Sequence, residues 1–121
     1  MKYDKIESNG ISYLVINGGE IVLENVQSAL DIISMSKYEY NCGRIIIFKE
    51  SISESFFDLK TKIAGEILQK FINYDLKIAI VGDFSKYSSK SLEDFIYECN
   101  SGNDIFFVEN VEEALEKYNK I

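Results

Sequence analysis

Between residues 56 and 84 the hydrophobic pattern changes rhythm, and the rest of the chain is organised around that change. Leu59, Ile63, Ile67 and Phe71, with Ala64, Leu68 and Ile72 beside them, recur at the spacing of one helical face. Asn73-Tyr74-Asp75 interrupts the period, and residues 76–81 then run almost unbroken in aliphatic side chains. Such a run predicts a strand covered on both faces, as in a parallel sheet packed between helices. The segment therefore predicts a helix that feeds the middle of an α/β sheet.

The same reading extends in both directions. Residues 3–8 and 11–16 flank Asn9-Gly10, a pair that tolerates the positive φ of a tight hairpin turn, so a β-hairpin opens the chain. Gly18-Gly19 ends its second strand, and Ile21-Val22-Leu23 suggests a short third extended piece. Asn25 suits the cap of a helix faced by Val26, Ala29, Leu30 and Ile33, which frays over residues 38–41 before Gly43 closes the turn. Residues 44–48, with three isoleucines in series, predict a buried strand. Ser51 with Glu54 has capping-box spacing ahead of Phe56-Phe57, and Ser91 with Asp94 has N-cap spacing for a helix faced by Leu92, Phe95, Ile96 and Cys99. Gly102 marks that helix's end, residues 105–108 make the last strand, and Asn110 with Glu113 caps a final helix faced by Val111, Ala114, Leu115 and Tyr118. The expected fold class is α/β: one domain over residues 1–121, a hairpin followed by alternating helices and strands, with a mixed, mostly parallel sheet and four or five helices.

Composition narrows the function more by exclusion than by indication. At 121 residues, with 46% hydrophobic and 27% charged residues, the chain suits one ordered globular domain. A net charge of −7 argues against nucleic acid, whose binding needs clustered Lys and Arg, and against an anionic membrane surface. No apolar run approaches the roughly 20 residues of a membrane span, and the polar N-terminus lacks the apolar core of a signal peptide, so the expected location is the cytoplasm. Two cysteines without metal or disulfide spacing agree with that compartment; Cys42 precedes a strand at a position compatible with exposure, and Cys99 falls on an apolar helix face. The chain has no histidine, which removes the commonest general base and metal ligand. No catalytic residue, metal site or cofactor is expected.

In a parallel sheet, ligands and partners meet the loops beyond the C-terminal strand ends. Two loops qualify here, residues 50–61 and 83–91, and they share one edge if their strands are neighbours. Glu50, Asp58 and Asp83 are the carboxylates that would have to converge in a metal-dependent enzyme; the simpler reading, that each caps a helix or faces solvent, is favoured. Ser85, Ser88, Ser89 and Ser91, interleaved with Lys86 and Lys90, have the composition of a phosphate-holding loop, though no Gly-rich cradle accompanies them. Phe84 and Tyr87 suit either plugs beneath the loop or contacts for a partner. Lys62, Glu66 and Lys70 stand four residues apart on the polar side of the central helix, the usual pattern of a solvated face. Gly65, unfavourable inside a helix by about 1 kcal/mol against Ala, implies close approach of a neighbouring element or a partner.

Residues 58–65, Asp58-Leu59-Lys60-Thr61-Lys62-Ile63-Ala64-Gly65, and the Val111-Glu112-Glu113-Ala114-Leu115 run resemble the corresponding stretches of the STAS domain, the anti-sigma-factor-antagonist fold. The chain also resembles a family of small bacterial proteins carrying a domain of unknown function, through Phe57-Asp58-Leu59, Ala64-Gly65-Glu66-Ile67-Leu68 and residues 79–84. The STAS resemblance implies a regulatory protein-binding module whose switch is a phosphorylated hydroxyl. Thr61 stands at that position and Gly65 at the motif's last glycine, while Lys60 and Lys62 replace the motif's first Ser and first Gly. The expected partner is another protein, a second copy of the chain included, with Asp58, Thr61, Lys62, Gly65, Asp83, Phe84, Ser85, Tyr87 and Ser88 as the binding or switch residues. The alternative is a carrier of a small apolar molecule or lipid, held among aromatics such as Phe56, Phe57, Phe84, Phe106 and Phe107.

Overall fold

A computed structural model describes residues 3–121. Five strands make one sheet in the order β1 (Tyr3–Ser8), β2 (Ile11–Ile16), β3 (Arg44–Phe48), β4 (Lys77–Val81) and β5 (Ile105–Val108). β1 and β2 pair antiparallel through the Asn9-Gly10 turn, where both residues have positive φ, and every later pair is parallel. Among the described residues there are four α-helices, α1 (Val26–Ser34), α2 (Ile63–Asn73) and α3 (Lys90–Ser101) between strands and α4 (Val111–Asn119) after β5. This is the mixed α/β architecture that the alternating periods predict, with the four- rather than the five-helix count.

Side-chain alternation along the strands splits the core into two layers. Leu14, Ile16, Ile45, Ile47, Ile78, Ile80 and Phe107 face α1, α2 and α3. Tyr13, Ile46, Ala79, Val81, Phe106 and Val108 face α4, which contributes Ala114 and Tyr118. The second layer holds a polar core motif: the Tyr118 hydroxyl donates to the Ile45 carbonyl at 2.7 Å, and the Arg44 guanidinium lies 5.3 Å from the Tyr118 ring centre. Burial pushes the Tyr118 hydroxyl far up, so it stays a donor.

Several local expectations are corrected. The central helix begins at Ile63, not before Leu59, because Lys62 takes a left-handed conformation (φ 63°) and residues 49–61 form three short 3₁₀ turns instead. Lys62 therefore stands outside the helix that carries Glu66 and Lys70. Ser53 rather than Ser51 caps the turn before Phe56, and Ser89 rather than Ser91 caps α3 by accepting from Leu92 N. After α1 the chain widens into a π turn over Met35–Glu39, and Asn41 (φ 55°), not Gly43, takes the left-handed position. That turn carries Cys42 inward, where it is buried. The extended piece at residues 21–23 is reduced to one parallel bridge between Leu23 and Ile52. Asn25 and Asn110 cap α1 and α4 as expected, and Gly102 ends α3. Among the described residues no helix is long and apolar enough to cross a membrane.

Candidate functional site

Because β3 and β4 are neighbours, the loops that follow them meet at one edge of the sheet, as the parallel order requires. They are tied by a residue the sequence patterns pass over. Lys49, the first residue after β3, is buried, and its stem crosses directly over the backbone of Gly82 at the end of β4. Its ammonium reaches Glu54 at 3.3 Å and lies 5.5 and 5.3 Å from the ring centres of Phe57 and Tyr87. Those two rings stack at 5.3 Å, and the Tyr87 hydroxyl donates to the Glu54 carboxylate, 3.0 Å from each oxygen. Lys86 adds a 3.7 Å ion pair to the same carboxylate.

Charge at this latch is stabilised against its burial. Burial disfavours the Lys49 ammonium, yet the Tyr87 and Glu54 oxygens outweigh it and push the group up to about 12. Burial likewise pushes the Glu54 carboxyl up, and the Tyr87 hydroxyl and Lys49 together hold it below the ordinary carboxylate range. The latch ties the two loops together, and its groups are paired with one another.

The expected site residues fall into three groups. Asp58, Tyr87 and Ser88 line one shallow hollow together with Glu54, Phe57, Lys86 and Ser89. Asp83, Phe84 and Ser85 belong to a larger groove of about 760 Å³, and Phe84 and Ser85 also line a smaller hollow with Tyr87, so these two groups adjoin. Thr61, Lys62 and Gly65 lie at the start of α2. The Thr61 hydroxyl stands 2.8 Å from the Asp58 carbonyl and 2.9 Å from that of Ser55, sharing its one proton between them, and accepts from Ile63 N at 3.3 Å. Gly65 is exposed, with open space where a Cβ would stand, so no neighbouring element of this chain explains it.

The three carboxylates do not converge. Glu50 and Asp83 line the groove, whereas Asp58 caps the Leu59–Thr61 turn by accepting from Lys60 N at 3.2 Å. Among the described residues no three Cys, Asp or Glu side chains are grouped to hold a metal ion. Asp83 accepts from both the backbone N–H (2.9 Å) and the hydroxyl (2.6 Å) of Ser85, which hold its carboxyl down. The lysines of the serine-rich loop face carboxylates too: Lys86 meets Glu54, and Lys90 meets Glu93 and Asp94 at 3.4 and 2.9 Å. Of the aromatics, Phe56, Phe57, Phe106 and Phe107 are buried in the core, packed ring against ring in several places, and fill the space between sheet and helices.

The groove has a topological cause. After β4 the chain turns to α3 on one face of the sheet; after neighbouring β5 it turns to α4 on the other. Loops leaving adjacent parallel strands in opposite directions open a crevice between them. Its walls come from the ends of β3 (Phe48, Glu50), β4 (Val81, Asp83, Phe84, Ser85) and β5 (Phe107, Val108, Glu109), with Glu113 from α4.

Fold and edge together define a small α/β protein with two cross-linked loops and an open crevice at the strand ends. Residues 8–118 match the family described as a domain of unknown function, DUF4180, and the chain belongs to that family. No curated protein and no solved structure matches it.

Proposed function

We propose that this protein is a cytosolic regulatory module that binds another protein, of the kind STAS domains exemplify, through the surface formed by residues 54–62 and 83–91. The observation that carries this reading is the latch. Lys49, Glu54, Phe57 and Tyr87 are spent on holding two loops in one fixed shape, which lowers the entropy lost when a partner docks. Two free thiols suit a reducing compartment.

Thr61 is the proposed switch. Its hydroxyl proton serves two carbonyls, and a phosphate ester would remove that proton while placing about −1.5 to −2 charges against the same oxygens. The turn over residues 55–62 would have to open, changing the surface beside Asp58. The test is capture from lysate of the source cells on the immobilised full chain, wild type against Tyr87→Ala and Thr61→Glu. A partner retained by the wild type and lost by both variants supports the reading. A partner retained equally by all three rules out this surface, and Thr61, as its determinants.

A further inference from the structure

The crevice between the β4 and β5 exits differs in chemistry from the latch surface beside it. Of its apolar lining, Phe48 and Phe84 are half-buried and present ring surface, whereas Val81, Phe107 and Val108 are buried in the two core layers and meet it only at the strand ends. Its rim carries Glu50, Asp83, Glu109 and Glu113; no Lys or Arg is among the residues that line it, and Lys49 and Lys86 act on it only at the Asp83 end. Glu50 and Glu109 are exposed, and the N-terminal turn of α4 adds Glu112 to the same negative end. Asp83 is held ionised by Ser85, and the Glu113 carboxylate accepts from Glu109 N at 2.8 Å, which fixes it at the rim.

We infer that this groove docks a basic segment of a partner protein, a Lys or Arg flanked by an aromatic or aliphatic side chain. The inference deepens the binding-module reading and rests on it. Three features select this occupant. The half-buried rings of Phe48 and Phe84 offer apolar contact to the stem of one side chain of the segment. The Glu50, Glu109 and Glu113 side of the rim, away from Lys49 and Lys86, attracts cations and repels acidic segments. Among the described residues no three carboxylates group to hold a metal ion, and a Lys or Arg on a flexible stem can meet these carboxylates one or two at a time. The groove is open to solvent rather than closed over its contents, as suits a chain that passes through it. It also lies at the one place where adjacent parallel strands send their loops to opposite faces.

The experiment is a chemical-shift titration of the ¹⁵N-labelled full chain with three capped pentapeptides, Ac-KFRLK-NH₂, Ac-EFELE-NH₂ and Ac-QFQLQ-NH₂. The basic peptide is expected to shift the amides of Glu50, residues 81–85 and residues 107–113 saturably, with affinity falling about tenfold on adding a few hundred millimolar salt. The neutral peptide should bind about tenfold more weakly and the acidic one not at all. In Glu50→Lys/Glu109→Lys the order of the basic and acidic peptides should invert. Glu50→Gln/Glu109→Gln should equalise all three, and unshifted β1–β2 amides check the fold of both variants. Equal response to the three peptides, or no response to any, overturns the assignment. Shifts confined to the Asp58–Tyr87–Ser88 hollow also overturn it, but leave the binding-module reading standing. That reading fails separately, when the capture experiment returns a partner indifferent to Tyr87 and Thr61.

Discussion

A Cβ at Gly82 would stand 2.7 Å from the Lys49 Cβ and 2.9 Å from its Cδ. The first of these atoms cannot swing away without moving the backbone at the end of β3. Gly82 N also donates to the Val108 carbonyl at 2.9 Å, so β4 cannot retreat without loosening β5. Gly82→Ala is therefore expected to destabilise by about 1–3 kcal/mol, the usual cost of an overpacked site, read as a lower urea midpoint with unchanged slope. The Glu54–Tyr87 contact should weaken with it, since Lys49 must shift. Gly65 has the opposite expectation. It is exposed on α2, and a Cβ there would meet nothing within 4 Å, so Gly65→Ala should gain about 0.5–1 kcal/mol of helix stability. A loss at Gly65 would mean that α2 does not hold this residue in an open helical position. The sequence pattern assigns close approach to the wrong glycine: Gly65 is conspicuous because it interrupts a helical period, while Gly82 looks like an ordinary strand end. What distinguishes Gly82 is Lys49, a residue on the neighbouring strand's exit, and that neighbour is set by sheet order rather than by local composition.

At the scale of elements, strands and hairpin were legible because their cues are local. Asn9-Gly10 fixes a two-residue turn, and unbroken aliphatic runs need no knowledge of their neighbours to be placed inside. The start of α2 was not. Residues 49–61 are shaped by distant contacts: Val22 N and Leu23 N both donate to the Ser51 carbonyl, and Phe56 and Phe57 are drawn into the core. Those contacts bend the segment into 3₁₀ turns as far as Thr61, where the spacing of Leu59 and Ile63 extends the central helix back to Leu59. The latch was equally hidden, since Tyr87 and Glu54 lie 33 residues apart. Another long-range device closes the sheet. Ile78 N and Gly82 N donate to the Asp104 and Val108 carbonyls, so the even-numbered residues of β5 face β4 and the Phe107 backbone points off the free edge. Asn100, from the end of α3, accepts from Phe107 N at 2.7 Å and donates to its carbonyl at 3.2 Å, standing in for an absent strand. Asn100→Ala should cost about 1–2 kcal/mol by leaving both groups without that partner, and should raise light scattering on heating as the edge becomes available to other chains. An unchanged melting midpoint and unchanged scattering would show that water replaces the asparagine without loss.

For the whole molecule, the two sheet edges are protected by different means, and this bears on which parts open first. β1 carries exposed Asp4, Lys5 and Glu7, charges that discourage pairing with another strand, whereas β5 depends on α3. Yet α3 fully buries only Leu92; Phe95, Ile96 and Cys99 are half-buried against the core. α1 and α2, by contrast, bury three and four residues. An element with little buried apolar surface opens at lower free energy than the global transition. The two cysteines report this difference. Burial and the nearby Glu98 push the Cys99 thiol up to about 11, so its thiolate is scarce at pH 8 while α3 stays closed. Burial also pushes the Cys42 thiol up, with Lys5 partly opposing, and Cys42 lies inside the layer shared by α1 and α2. In native buffer both thiols should therefore react with iodoacetamide far more slowly than free cysteine. Cys99 should label first, through opening of α3 alone, and Cys42 only at the rate of global unfolding. As urea rises toward the midpoint, global unfolding overtakes the local route and the two rates should converge, which site-resolved mass spectrometry of the alkylated peptides would follow. Equal rates without denaturant would make α3 part of a single cooperative unit, with β5 never exposed while the fold persists. Faster labelling at Cys42 would instead place the weak point at the π turn after α1, and the edge protection of β5 would then be independent of it.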